Sequence, residues 1–245
     1  MRVAILSDLH ANMEALTATL KDVGERRTDE VWCLGDLVGY GGAPQAVLDA
    51  IEARTRTIVK GNHDHAVATG EVDGFNPMAA SAARLHAQML TPPERARLYA
   101  LPTTLTRHVG AVEVLLAHGS PDDPIHEYVR PEDAPEGQRR WTGLADVILL
   151  GHTHLPFAAL PRGGAWKAEG FAEGRPGAPE APLVVNPGSV GQPRDGDSRA
   201  SYAVLDFARR TVELHRVAYD VESAAQAIRR AGLDHALALR LFRGR

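Results

Sequence analysis

The chain begins Met1-Arg2-Val3-Ala4-Ile5-Leu6-Ser7-Asp8-Leu9-His10. Residues 2–6 are a short apolar run of strand formers, and two metal-loving side chains follow at once. In extended backbone, side chains two apart point the same way, so the Asp8 carboxylate and the His10 imidazole leave the strand end together. Such a pair is half of a divalent-metal site. Taken alone it is better explained as a turn residue beside a solvated or capping histidine. What decides between the two is how the other strands end.

They end alike. Residues 31–34 read as a second strand, followed by Gly35-Asp36 and the glycine-rich turn Gly39-Tyr40-Gly41-Gly42. Residues 57–60 read as a third, running into Gly61-Asn62-His63-Asp64-His65. Residues 111–117 deliver His118-Gly119-Ser120, residues 146–150 deliver Gly151-His152-Thr153-His154, and residues 183–186 lead into Asn186-Pro187-Gly188-Ser189. Asn12 is placed to cap a helix with Met13, Leu16, Leu20 and Val23 on one face, ending near Gly24, and residues 44–53 read as a second helix with Pro44 in its first turn. Successive β-α units imply a parallel sheet, with a ligand site outside the carboxyl ends of its strands.

Beyond residue 77 the pattern changes. Residues 78–90 and 93–100 are predicted helices, and residues 104–108 and 111–117 form a hairpin broken at Gly110. Pro121, Pro124, Pro131 and Pro135 make the next stretch a lid or rim loop rather than a long helix. Residues 157–160, 202–207 and 212–217, together with 183–186, are further strands, more antiparallel in style, and residues 221–231 and 234–241 are closing helices. Residues 163–182, rich in Gly, Ala, Pro and Glu, are expected to be an exposed, mobile excursion. With neither an internal repeat nor a clean linker, residues 1–245 are expected to form a single domain.

Composition excludes several classes. With 27 basic and 31 acidic residues the formal net charge is -4, which argues against a nucleic-acid or anionic-membrane binder. The single cysteine, Cys33, permits neither an internal disulfide nor a thiolate metal cage, and is expected in the core. Asp8 interrupts the first apolar run too early for a secretory leader, and no apolar window is long enough to span a bilayer, so a cytoplasmic location is expected.

These strand-end clusters thus offer seven candidate nitrogen and oxygen donors without sulfur, which suits Mn²⁺, Fe²⁺/³⁺, Zn²⁺ or Co²⁺. Seven are too many for one tetrahedral ion and suit two ions sharing a carboxylate, a recurring device for phosphate-ester hydrolysis. The ordered set Asp-x-His, Gly-Asp, Gly-Asn-His-Asp, His and Gly-His-x-His, running from residue 8 to residue 154, resembles the calcineurin-like metallophosphoesterase superfamily. The resemblance implies an α/β sandwich of two mixed β-sheets flanked by helices and two divalent ions, with Mn²⁺ favoured. It implies that Asp8, His10 and His154 hold one ion, that Asn62, His118 and His152 hold the other, and that Asp36 bridges them. It further implies hydrolysis by a metal-bridging hydroxide, with His63 as general acid oriented by Asp64.

The stretch Asn186 to Ser189 is similar to small bacterial members that resemble diadenosine tetraphosphatases or phosphodiesterases. A small phosphodiester or nucleotide substrate is therefore expected, with a protein Ser/Thr phosphatase or a non-catalytic scaffold as the alternatives. Arg194, Asn12, His65 and Tyr128, with His126 behind them, are candidate substrate contacts, each with a structural or solvent-facing alternative. His86, His108, His215 and His235 are read as surface or satisfied-core histidines, and Trp32, Trp141 and Trp166 as packing residues.

Overall fold

The structure is a computed structural model and describes residues 1–161, 167–170 and 182–245. Trp166 and most of the 163–182 excursion lie outside the described residues.

In chain order the elements are β1 (Arg2–Leu6), α1 (Met13–Glu25), β2 (Glu30–Cys33), α2 (Pro44–Arg54), α3 (Asn62–Thr69), α4 (Pro77–Met89), α5 (Pro92–Ala100), β3 (Thr104–Val109), β4 (Val112–Ala117), α6 (Ala134–Arg140), β5 (Val147–Leu149), β6 (Phe157–Ala159), β7 (Lys167–Glu169), β8 (Leu183–Asn186), β9 (Ala200–Asp206), β10 (Thr211–Val217), α7 (Val221–Arg230) and α8 (His235–Arg243). They build two five-stranded sheets, ordered β2-β1-β9-β10-β7 and β3-β4-β5-β8-β6. Both are mixed: β1 runs parallel to β2 and antiparallel to β9, while β4, β5 and β8 run parallel beside the antiparallel edges β3 and β6. The fold is thus the expected α/β sandwich, although the purely parallel sheet suggested by the first β-α units is corrected by β9, which pairs antiparallel on the open side of β1.

Period-2 alternation explains the layering. Val3 and Ile5 of β1 join Trp32, Leu116, Leu149 and Leu205 in the core between the sheets, whereas Ala4 and Leu6 pack with Leu16, Val47 and Ile51 of the covering helices. Ile148 and Val184 face outward on the second sheet and are covered by Ala134 and Trp141 around α6. Helix starts follow local chemistry: the Asn12 side chain accepts from Ala15 N–H to cap α1, and Thr91 and Glu94 form a capping box on α5.

The third strand expected at residues 57–60 shrinks to one parallel bridge, Cys33 to Ile58, held by Cys33 N–H to Thr57 O (2.9 Å) and Val59 N–H to Cys33 O (3.0 Å). Lys60 N–H then turns away to Pro102 O, and α3 begins at Asn62. Among the described residues, no helix is long and apolar enough to cross a membrane.

Candidate metal centre

Strands β1, β2, β4, β5 and β8 all release their chains at one edge of the sandwich, and the predicted donors gather there. The turns that carry them are strained. Asp8, His10, Asp36, His152 and His154, five of the seven donors, have φ between 46° and 68°. Left-handed backbone costs a non-glycine residue on the order of 1–3 kcal/mol, so the surroundings must impose it. They do so by stitching loop to loop: Asp8 N–H reaches Gly35 O, His10 N–H reaches Asp36 O, Gly151 N–H reaches His118 O, and Gly191 N–H reaches Asp8 O. Asn186 donates to Gly151 O and to Thr153, and Ser189 donates to Asp8 O, so the Asn-Pro-Gly-Ser stretch braces the site. Gly61 has no substitute here, because a Cβ would collide with the Asp36 carboxylate.

Each carboxylate spends one oxygen on the fold and presents the other. Asp8 Oδ2 accepts from Ser7 Oγ (2.6 Å) and His152 N–H (3.2 Å), while its buried Oδ1 has no hydrogen-bond partner among the described residues. Asp36 Oδ1 accepts from His63 N–H (2.8 Å), and Asp36 Oδ2 lies 3.6 Å from His10 Nε2 and 3.4 Å from His118 Nε2.

The imidazoles are oriented the same way. Because a carbonyl can only accept, the ring nitrogens facing one must be its donors: His10 Nδ1 to Val38 O, His118 Nδ1 to Leu34 O, His154 Nδ1 to Gln192 O and His152 Nε2 to His126 O. In the neutral rings the opposite nitrogens are then acceptors, and all four opposite nitrogens converge. His10 Nε2 and His154 Nε2 are 3.0 Å apart, and Asp8 Oδ1 lies 3.1 Å from His154 Nε2. His118 Nε2 lies 3.1 Å from His152 Nδ1 and 3.2 Å from Asn62 Oδ1.

Lone pairs facing lone pairs in a buried site are stable only around positive charge. The titration behaviour agrees. Burial holds His10 and His154 well below the usual imidazole range and pushes His152 down to about 3. Burial opposes charge on His118 too, yet the Asp36 carboxylate outweighs it and raises His118 to about 9. Without metal, one proton serves as the cluster's cation. The donor set therefore fits divalent ions, in two groups, Asp8-His10-His154 and Asp36-His118-His152, which a third group, His10-Asp36-His63, links.

The structure reassigns other predicted residues. His63 Nδ1 is buried without a hydrogen-bond partner among the described residues, and burial lowers the ring to about 4, so it is neutral at pH 7. The expected orientation of His63 by Asp64 is not observed. Asp64 Oδ1 accepts from the main-chain N–H groups of Leu37 and Val38, and Oδ2 from that of Gly61, so Asp64 ties together the loops that carry Asp36 and Asn62. Asn12 is corrected from substrate contact to cap, since its Oδ1 holds Ala15 N–H and its Nδ2 donates to Gly191 O. His65 points along α3 to Glu71 (3.1 Å).

Arg194 does reach the rim: its guanidinium sits 5.6 Å from the Tyr40 ring centre, hydrogen bonds to Gln192, and lies near enough to His154 to help hold that ring neutral. Tyr128 stacks on His152 with ring centres 3.8 Å apart. His86 is a satisfied core histidine, accepting from Gly39 N–H and donating to Gly41 O, and thereby shapes the turn that bears Tyr40. Trp32 and Trp141 are buried, as expected for packing residues.

Asn62, His63 and His152 open onto a cavity of about 350 Å³ that Tyr40, Asp73, Phe75 and Asn76 also line. Those four residues carry no metal-donor pattern. The one local signal was Tyr40, a bulky residue inside a glycine-rich turn, which adopts φ 61°.

A sandwich with buried aspartate and histidine donors at one strand edge defines a metal-binding hydrolase of the metallophosphoesterase type. Comparison with known proteins gives the family: the profile of the calcineurin-like phosphoesterase superfamily domain matches residues 1–210, and the chain belongs to that superfamily. It is 34% identical to an uncharacterized protein of Methanocaldococcus jannaschii, over 99% of this chain and 98% of that one. The crystal structure of a metallophosphoesterase from Sphaerobacter thermophilus matches at TM-score 0.80 and 34% identity, covering 100% of both chains. A hypothetical protein from Pyrococcus horikoshii matches at TM-score 0.84 over 100% of this chain and 98% of that one; at 21% identity it speaks to the fold alone.

Proposed function

We propose that the protein is a dinuclear metal-dependent phosphoesterase that hydrolyses a small phosphodiester or nucleotide in the cytoplasm, with residues 1–245 acting as one domain and Mn²⁺ as the favoured metal. The carrying observation is Asp36 Oδ2, poised between His10 Nε2 at 3.6 Å and His118 Nε2 at 3.4 Å, with an acceptor cluster on either side. Asp8, His10 and His154 would hold one ion, Asn62, His118 and His152 the other, and Asp36 both. Bound there, the ions would offset the negative charge of the phosphate and make a water acidic enough to attack near neutral pH.

The remaining work falls to the chain. His63 borders the cluster, its ring nitrogen within 4.8 Å of the His10 and Asp36 donor atoms. It is placed to give a proton to the departing oxygen, and the negative charge of an arriving phosphate favours the protonated ring needed for that step. Arg194 would hold a phosphate oxygen at the rim through its planar fork. The complete donor set argues against a non-catalytic scaffold, and a cavity of about 350 Å³ suits a small ligand better than a phosphoprotein loop.

The test is hydrolysis of bis-p-nitrophenyl phosphate by Mn²⁺-loaded protein, before and after chelation, and by Asp36→Ala. Metal-dependent turnover that disappears in the variant supports the reading. Turnover indifferent to chelation and to Asp36 would sink it.

A further inference from the structure

The cavity beside the metal cluster has a chemistry of its own. Two aromatic ledges border it. On one, His63 sits between Tyr40 and Phe75 in tilted contact, with ring centres 4.4 and 4.7 Å away. On the other, Tyr128 lies over His152. Tyr128 is 51% exposed, an unusual state for a ring held in a fixed stack, and its free face is open to a ligand. The cavity is large enough for a ring system, since small-molecule sites begin at about 300 Å³.

Its charge is equally specific. Among the described residues no lysine or arginine lines it, and the one lining carboxylate belongs to Asp73, at the exposed rim. A chain of phosphates extended from the metal cluster towards Asp73 would meet that negative group, whereas the nearby guanidinium of Arg194 lies over Tyr40. A neutral heterocycle would instead find aromatic faces, and its N–H groups would find the Asp73 carboxylate, which can only accept hydrogen bonds when ionised. The Asn76 Oδ1 is already committed to Ala79 N–H, so that side chain turns its amide N–H groups to further partners.

We propose that this cavity is a nucleobase subsite, and that the protein acts on substrates in which a nucleoside is joined to a single scissile phosphate, in preference to dinucleoside polyphosphates. This rests on the phosphoesterase reading above and narrows it. Phosphate lies at the metal cluster, the base stacks against Tyr128 and the Tyr40–His63–Phe75 ledge, and Asp73 reads the donor edge of the base.

Calorimetric titration of the Mn²⁺-loaded protein with GMP and with ribose 5-phosphate isolates the base, because the two ligands share sugar and phosphate. GMP is expected to bind about ten- to a hundredfold tighter, the scale of one base stacked on an aromatic ring. Tyr128→Ala is expected to erase most of that difference and Tyr128→Phe to retain it, which separates stacking from any loss of folding. Diadenosine tetraphosphate is expected to bind no better than AMP, and Asp73→Asn to improve its binding.

Equal affinity for GMP and ribose 5-phosphate would overturn the proposal, as would a GMP preference untouched by Tyr128→Ala, or tighter binding of the tetraphosphate. Wild-type turnover of bis-p-nitrophenyl phosphate is scored independently, so the hydrolase reading and the base subsite fail separately.

Discussion

The Nε2 atoms of His10 and His154 lie 3.0 Å apart while the Nδ1 of each donates to a main-chain carbonyl, that of Val38 and of Gln192. Neither facing nitrogen carries a proton, and burial keeps both rings neutral. The fold holds two lone pairs against each other with the unpartnered Asp8 Oδ1 beside them, and a cation relieves all three. Metal binding should therefore stabilise the native state. At a free Mn²⁺ concentration one hundred times the dissociation constant the gain is about 2.7 kcal/mol. For a chain of this size that is on the order of 5–10 °C in Tm. Differential scanning fluorimetry with and without EDTA measures it, and a Tm insensitive to Mn²⁺ would contradict the geometry.

The same cluster predicts a pH dependence. In the metal-free protein burial opposes charge on His118 but Asp36 outweighs it, raising the ring to about 9. A folded-state value above the unfolded one means that this stabilisation is complete below about pH 6.5 and is lost as pH rises towards 9. Asp64 acts in a lower window: burial and the Asp36 charge raise it to about 7, so its destabilising effect builds up between about pH 4 and 7 and is nearly complete before the His118 stabilisation is lost. The Tm of EDTA-treated protein should fall across pH 6.5–9 more steeply than that of the Mn²⁺ form, in which the metal has replaced the His118 proton. Calorimetry at pH 7.5 in buffers of different ionisation enthalpy should detect proton release on metal binding.

Asp64 supplies a sharper test because its observed role differs from the expected one. Its carboxylate holds three main-chain N–H groups, those of Leu37, Val38 and Gly61. Asp64→Ala leaves those buried donors without acceptors, at a cost of about 3 kcal/mol or more. Asp64→Asn keeps one acceptor oxygen and should cost less. If Asp64 only oriented His63, both variants would lose activity at unchanged Tm.

That difference marks where the chain was legible. Donors such as Asp8, His152 and His154 could be read because each follows an apolar strand, and a strand's end fixes where its next residues emerge. Asp64 sits in the same motif, but its partners are main-chain groups, which leave no trace in side-chain identity. The strand at residues 57–60 was overcalled because β-branched residues favour extended backbone without specifying how many bonds a neighbour offers, and β2 offers them through Cys33 before Lys60 turns to Pro102. The Phe75 and Asp73 walls of the cavity were invisible because they reach it from the turn before α4, and nothing in an apolar-polar pattern says over which site a turn will fold.

His63 is predicted to act on the leaving group. A positioned proton donor is worth about 10²–10⁴-fold. That benefit shrinks when the departing oxygen is already a stable anion. His63→Ala should slow hydrolysis of an alkyl ester by that order while slowing a p-nitrophenyl ester far less. Rates for a leaving-group series give a steeper dependence on leaving-group pKa in the variant. Equal loss across the series would instead assign His63 to phosphate binding or to packing against Tyr40 and Phe75.

Arg140 lies at the back of the loop that delivers His126 and Tyr128. Its Nη2 contacts Asp122 Oδ2 at 2.5 Å and Glu127 at 3.0 and 3.1 Å, Trp141 Nε1 also donates to Asp122, and Ser120 donates to Glu127. The arginine is 43% exposed on its side chain, so the clamp adds at most about 1 kcal/mol to global stability. Its effect is local, because the residue next to Glu127 is the ring that covers His152. Arg140→Ala should leave Tm within about 3 °C and raise KM several-fold for a nucleoside-bearing substrate, with kcat little changed. Arg140→Lys keeps the charge but loses the rigid guanidinium that directs Nη2 at both carboxylates, so its KM should fall between. A variant that lowers kcat at constant KM would place Arg140 in the chemistry, which its distance from the donor cluster along the loop argues against.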